Sequence, residues 1–458
     1  MGKHWGNSYA GARIMSVSHS GARRRQKWEH SVERGVAAVA GHQPRLVFTE
    51  AASEAFKATG FSVVDLGKSS RVSLMLTPEA QGDFREQAEK TLAAVGAILQ
   101  KAPHKMAVTS QTVFLRDGAD QAACEAIFAR HYGKKAPLTS FVVQPPCSGA
   151  ALALEAWGIS GQGVGVERFG TKALAIGYDG VRWVHCAGIN SNEAGAYAQT
   201  MHVLRQMQET LKRAGTDFGH VVRTWFCLGR ITGEEDGTQR YMELNRARSD
   251  FYDEVRFSCS LPVPTIPQGI YPASTGIGMT GGGLVASCLS FQTHRKDAFL
   301  LPLENPLQTP AYAYPPKYSV KSPKFARAKA LVLGNYVTTW ISGTASVVHS
   351  ETRYSGDVDH QTNQTIDNIE RLIASENFSF HGIKGAGATL QDIAKIRVYL
   401  RRIEDFATCK AICERRFGPV PAIYAVADIC RPELLVEIEG VAFSSYSPCS
   451  SRREESAK

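Results

Sequence analysis

The chain lacks the features that announce most large protein classes. Its longest apolar runs, such as Ala330-Leu331-Val332-Leu333, are far short of the ~20 residues that cross a bilayer, so no membrane-spanning helix is expected. The start, Met1-Gly2-Lys3-His4-Trp5-Gly6, leads into Arg23-Arg24-Arg25 without an apolar segment, which argues against a secretory signal. Gly6 stands where an N-myristoylation motif wants Ser or Thr. The ten cysteines contain no Cys-x-x-Cys, and their one close pair, Cys409 and Cys413, has helical spacing. Reduced thiols and a cytoplasmic location are expected, without a disulfide framework or zinc site. No HExxH, GxSxG or dinucleotide fingerprint is present, which removes the matching peptidase, hydrolase and dehydrogenase classes. Gly281-Gly282-Gly283 has no following Lys-Ser/Thr and reads as a hairpin turn rather than a phosphate loop. No cofactor or metal is expected.

What is present is length, apolar content and an excess of positive charge. With 458 residues the chain is too long for one ordinary domain and suits three of about 100–150 residues. Hydrophobic residues make up 43%, enough for a core in each. The net charge is +9, with basic clusters at both ends and along residues 317–329. Aromatics are not interleaved along a basic stripe, so no nucleic-acid partner is expected; solvated tails and an anion-friendly pocket account for the charge.

One pattern occurs three times. A β-type run precedes a helix carrying Gln, a second β-rich run and a second helix follow, and a Pro-led strand closes the copy. The first runs from Val72-Ser73-Leu74-Met75-Leu76 through Gln87 and Thr112-Val113-Phe114-Leu115 to Pro137 and residues 151–156. The second runs from residues 183–188 through Gln199 and Arg223-Thr224-Trp225-Phe226-Cys227-Leu228 to Pro272 and residues 284–289. The third runs from residues 340–346 through Gln361 and Lys395-Ile396-Arg397-Val398-Tyr399-Leu400 to Pro421 and residues 434–439. From the helix Gln to the strand Leu is 28 residues in the first copy, 29 in the second and 39 in the third, where residues 375–389 read as a loop insertion. Thr365, Ile366, Ile369, Leu372 and Ile373 form a helical stripe, and Gly356-Asp357 marks its start. The expected organisation is a mobile basic segment 1–45, repeats at 46–162 and 163–291, a Pro/Tyr-rich connecting strap 292–328, a repeat at 329–446 and a polar tail 447–458. The strap holds six prolines, long for a structureless connection.

The third copy's Ile341-Ser342-Gly343-Thr344-Ala345-Ser346, Gly-Asp helix start, helix Gln, Val398-Tyr399-Leu400 and Pro421-Ala422 ahead of residues 434–440 resemble the Rid (YjgF-like) family. The resemblance implies an α+β fold of three tandem Rid/YjgF (chorismate mutase-like) domains. That family forms trimers with a ligand cleft at each interface, so three joined copies suggest an intrachain pseudo-trimer with one competent cleft, as a monomer or weak dimer. Deaminating members place an Arg after Pro-Ala to hold a carboxylate; Thr139, Ser274 and Ile423 stand there instead. The family acid is matched by Glu437 alone, with Ala153 in the first copy and no acid in residues 284–291.

Residues 314–328, 341–362 and 427–440, and more loosely 221–225, 239–252 and 271–278, are similar to the chorismatases. These are two-repeat Rid relatives that remove pyruvate from chorismate. The resemblance implies a small-molecule dicarboxylate substrate, Glu437 as proton donor, and Cys430 where hydroxybenzoate-forming members carry Cys and pass through an internal epoxide to 3-hydroxybenzoate. Chemistry adds Arg327 and Arg248 as carboxylate forks, Tyr314 and Tyr318 as hydroxyl donors, and Gly343 and Ala345, beside Thr344, as a floor on which a ring can lie. Two other readings stay open: a Rid-type hydrolase of another enamine, imine or enol ether, and a non-catalytic binding protein.

Overall fold

Apolar runs of period two become three six-stranded sheets wound in one order. The computed structural model describes residues 45–50, 60–102, 105–258, 270–318 and 320–448; the N-terminal basic segment and residues 449–458 lie outside them. The first sheet holds β1 (Arg45–Glu50), β2 (Gly60–Asp65), β3 (Ser69–Leu76), β4 (Ala107–Leu115), β5 (Leu138–Val143) and β6 (Leu152–Gly161), in the order β1-β2-β3-β6-β4-β5. The second holds β7 (Gly165–Phe169), β8 (Ala173–Tyr178), β9 (Val181–Ser191), β10 (Val221–Gly229), β13 (Ala273–Met279) and β14 (Leu284–Thr293), in the order β7-β8-β9-β14-β10-β13. A separate two-stranded ribbon, β11 (Glu234–Glu235) and β12 (Thr238–Gln239), lies between β10 and β13 in sequence. The third holds β15 (Ala298–Leu303), β16 (Ala328–Leu333), β17 (Tyr336–Ala345), β20 (Ile393–Leu400), β21 (Ala422–Val426) and β22 (Val436–Ser445), in the order β15-β16-β17-β22-β20-β21, with the ribbon β18 (Val347–Val348) and β19 (Glu351–Thr352) beside it.

Each sheet has one parallel pair, β4 with β5, β10 with β13 and β20 with β21. A parallel pair needs a long crossover, and a helix supplies it each time: α2 (Gln121–Tyr132), α4 (Arg240–Asp253) and α7 (Phe406–Phe417). The other helices are α1 (Phe84–Lys101), α3 (Ala196–Arg213), α5 (Val358–Ile373) and the short α6 (Ser375–Phe380). No described helix is long and apolar enough to cross a membrane.

The α5 stripe behaves as read: Ile366, Ile369, Leu372 and Ile373 are buried against Val398, Leu400 and Ile438 of the third sheet. Each such side chain stabilises by about 1.5–3 kcal/mol. Asp357 caps the helix, accepting from His360 N. The opposite faces of the sheets meet one another. Val64 and Leu138 of the first, Leu174 and Trp183 of the second, and Trp340 and Val441 of the third share one cluster. The Gln of each copy is a tie. Gln87 accepts from Ala151 N at 2.8 Å and Gln361 from Leu435 N at 2.8 Å, each pinning a helix to the start of the last strand; Gln199 instead accepts from Arg240 at 2.9 Å.

Several expectations need correction. The strap 292–328 contains β15, an edge strand of the third sheet, a short apolar run set among prolines without the alternation of a half-buried strand. Residues 375–389 begin with α6, whose Phe378 is fully buried, so the insertion is not all loop. Gly281-Gly282-Gly283 joins β13 to β14, which are separated by β10, so the turn is not a hairpin. Ladder register also fixes correspondences. Ser140, Thr275 and Ile423 lie opposite Thr112, Trp225 and Arg397. In the first two copies the residue at this ladder position lies three after its Pro and in the third two after, so Ser140 and Thr275, not Thr139 and Ser274, correspond to Ile423. None of these is Arg.

Candidate active site

A cleft of about 430 Å³ opens where β13 and α4 of the second sheet's layer meet the strap, β17 and β22. That volume suits a small molecule, about 300–1,000 Å³ being typical. Glu437, Cys430, Arg327, Arg248, Tyr314, Tyr318, Gly343 and Ala345, all singled out in the sequence, line it together. Local pairing makes the opening. Ala273 of β13 bridges to Ala326, and Ser342 Oγ accepts from Ser274 N at 2.9 Å while donating to Ala326 O at 2.6 Å. These bonds hold the two layers together beside the cleft.

Glu437 sits on β22 opposite Ala345 and Tyr399. The register of β17 on β22 shifts between Ile341 and Thr344, a bulge of the kind that re-aims a strand near a site. Gly343 lies within it and donates N–H to Thr275 Oγ1 at 3.0 Å. A Cβ on Gly343 would fall 2.0 Å from Glu437 Oε1, so glycine is what leaves room for the carboxyl. Glu437 is 4% exposed and makes no hydrogen bond or ion pair among the described residues. Burial, helped by the charge of Glu439, pushes its pKa up to about 8 against the pull of Arg223 and Arg327. A carboxyl in that state can give a proton near neutral pH.

Two arginines flank this acid. Arg327 precedes β16, and its Nη2 donates to Tyr314 Oη at 2.6 Å and Thr309 O at 3.1 Å. Arg248, on α4, donates to Asn245 Oδ1 at 2.6 Å and Ser274 Oγ at 3.2 Å. Both are buried, both leave Nε without a partner, and neither has a carboxylate at ion-pair distance among the described residues. Buried guanidinium groups without counter-ions are costly, and two of them on one cleft ask for a ligand with two anionic groups. Glu304 accepts from the backbone N of Arg327 at 3.3 Å rather than from its guanidinium, and burial raises its pKa to about 8.

The strap closes the outer wall. Tyr314 and Tyr318 lie 5.7 Å apart between ring centroids, and the Arg431 guanidinium stands 4.0 Å from the Tyr318 ring. Cys430, beside Glu437, is held as a thiol, burial pushing its pKa up to about 12. Such a group is a small wall rather than a nucleophile. Sequence reasoning missed Tyr241, Phe325 and Arg431, which also line the cleft. Tyr241 follows Arg240 at the start of α4, where no spacing signal distinguishes it from a packing residue.

The family description "Endoribonuclease L-PSP" matches residues 327–444, and "Chorismatase FkbO/Hyg5-like, N-terminal" matches residues 155–290. Residues 45–154 lie outside both. The chain is 34% identical to a 3-hydroxybenzoate synthase of Streptomyces hygroscopicus, over 57% of this chain and 76% of that one. It is 32% identical to a chorismatase of Streptomyces rapamycinicus, over 58% and 77%. A crystal structure of a chorismatase superposes with a TM-score of 0.57 at 25% identity, covering 73% of this chain and 93% of that one. With identity above 30% across three quarters of such relatives, and with the N-terminal chorismatase pattern matched beside an L-PSP-type domain, the chain belongs to the chorismatase family.

Proposed function

We propose that the protein removes pyruvate from chorismate and leaves a hydroxybenzoate, 3-hydroxybenzoate, with Glu437 as the proton donor. One observation carries the reading: an unpaired, proton-retaining carboxyl stands in a cleft with two arginines that lack carboxylate partners. Chorismate brings two carboxylates and an enol ether. In this reading Arg327 and Arg248 hold the carboxylates, and Tyr314 and Tyr318 border the ligand. Glu437 protonates the methylene carbon of the enol ether. The cation formed beside the ether oxygen weakens the bond from that oxygen to the ring, and pyruvate leaves with the oxygen. The adjacent ring hydroxyl closes on the vacated carbon as an epoxide and returns a proton to Glu437. Opening of the epoxide and loss of a ring hydrogen restore aromaticity. Pyruvate plus hydroxybenzoate accounts for every atom of chorismate, with no oxidant and no net water. Cys430 keeps water from the vacated carbon, and Gly343 and Ala345 bear the ring.

The same reading covers the architecture. Three sheets of one strand order are three tandem Rid/YjgF domains, near 46–162, 163–291 and 329–446, closed within one chain as a pseudo-trimer. Light scattering of the purified chain gives a monomer on this view; a tight homotrimer contradicts it.

The test of function is incubation with chorismate, following pyruvate with a coupled assay and the aromatic product by chromatography. Pyruvate and 3-hydroxybenzoate in equal amounts are expected. No pyruvate at high enzyme concentration rejects the reading in favour of another enol ether or imine, or of binding without turnover.

A further inference from the structure

Beneath the cleft, where the three sheets meet, five charged side chains are buried together: Glu155, Arg223, Lys395, Arg397 and Glu439. Each sheet contributes. Glu439, on β22, pairs with Arg223 of β10 and with Arg397 Nη1 at 3.1 Å. It also accepts from Trp225 Nε1 at 2.9 Å, Tyr399 Oη at 3.1 Å and Thr275 Oγ1. Glu155, on β6, pairs with Lys395 and Arg397 of β20 and accepts from Trp157 Nε1 at 2.7 Å. Arg397 therefore joins the two acids, and its Nη2 reaches Thr112 Oγ1 at 3.1 Å.

This cluster comes nearest in sequence to the cleft at Glu439, which lies two residues from the cleft residue Glu437 on the same face of β22. The charged and titratable groups bearing on Glu437 are Glu439 on its own strand, Arg223 of β10, Arg327 ahead of β16, Tyr241 of α4 and Cys430 in the loop after β21. Arg248 lines the same cleft. Thr275 binds Glu439 and also accepts from Gly343 N, so the cluster is tied to the floor that makes room for Glu437. The cluster holds three basic groups and two acids; burial and the Arg397 charge lower the Lys395 pKa well below the ordinary lysine value, and the Glu155 carboxylate paired with it favours the charged form. Without Glu155 one acid would face the three basic groups, and the loss of its negative charge would favour an ionised Glu437.

We propose that Glu155, supplied by the first sheet, is a positioning residue for Glu437. It engages Lys395 and Arg397 so that the negative charge of Glu439 stays beside Glu437 and keeps Glu437 protonated through neutral pH. This rests on the reading of Glu437 as the acid, and it gives the first sheet a part in the chemistry although its own ladder counterpart of Glu437 is Ala153.

The experiment is an infrared titration of the buried carboxylic-acid carbonyl band in the full chain, assigned to Glu437 by its loss in Glu437→Gln. In Glu155→Gln the band's midpoint falls by about one pH unit, the scale of one buried charge on a near neighbour. In Lys395→Met it rises, and in Glu155→Gln with Lys395→Met it returns to the wild-type position. The descending limb of kcat/KM against pH moves with the same signs. Coincident midpoints in all variants, or a shift of both single variants in one direction, overturn the proposal, because loosened packing has no charge sign. If Glu155→Gln does not fold, Lys395→Met and the double variant still decide it. If wild type releases no pyruvate, the chorismate reading fails while the titration still tests the coupling.

Discussion

Glu437, Ala153 and Val285 occupy the same ladder position in three sheets of identical strand order, opposite Tyr399, Phe114 and Cys227. Around Ala153 the third and first sheets are closed on each other. Residues 145–147 run along β21 as an added edge: Pro146 bridges to Ala425, Cys147 N donates to Tyr424 O and Val426 N to Pro145 O. Ala153, Ile423 and Ala425 are buried in one apolar cluster. Along β13 the corresponding edge bridges to Ala326 at Ala273, and Gly278 N donates to Asp428 O at 2.7 Å, but between those points no segment is laid along it among the described residues. That leaves Ser274 and Gly276 on the cleft. The same strand order thus yields a seam or a site, according to whether a neighbouring segment zips along the fifth strand. What sets the cleft apart from the seam is one acid, one glycine, an arginine on α4 and the strap, not the strand order of the sheet.

Substitutions that make the cleft more like its closed counterparts test this contrast. The largest effect belongs to Glu437→Gln, which keeps shape and removes the proton; kcat falls by about 10²–10⁴-fold, the usual worth of a general acid. The folded Glu437 carboxyl holds its proton up to about pH 8, whereas an unfolded one releases it near 4.5, so wild type loses stability as pH rises through that window. Glu437→Gln escapes that loss, and thermal melts show it gaining on wild type as pH rises from 4.5 to 8. Gly343→Ala comes next: the added methyl collides with the Glu437 carboxyl, and misplacement by about 1 Å costs roughly 10²-fold in kcat. Arg327→Met removes one fork while keeping bulk, and a lost charge-assisted hydrogen bond lowers kcat/KM by about 10–100-fold, read mainly as a higher KM for chorismate. Cys430→Ala is the mildest in rate. It admits water beside the ring, and chromatography shows a dihydrodiol appearing at the expense of 3-hydroxybenzoate; an unchanged product ratio removes Cys430 from the account.

Much of the cleft was legible because its residues fall in short runs around the third copy's strands, where alternation and a Gly-Asp helix start are clear. Seven of the eight chosen residues come from those runs, and they converge with Arg248 of α4 on one cavity. What stayed hidden is held by long-range contact. Glu155 meets Lys395 across 240 positions, and nothing local to either residue marks the pairing. Read alone, the first copy seemed merely to have lost its acid at Ala153, yet Glu155, two residues on, is a counterpart of Glu439 in the ladder. Edge strands were lost for a different reason. β7 is largely exposed and β15 sits among prolines, so neither shows the apolar alternation that marks a half-buried strand.

The central claim is that a protonated Glu437 delivers the proton, and the most direct measurement is kcat/KM for chorismate against pH. An acid with its pKa near 8 in the free protein predicts a plateau below that pH and a fall of about tenfold per unit above it. A rate that stays level through alkaline pH, or climbs with it, contradicts the assignment.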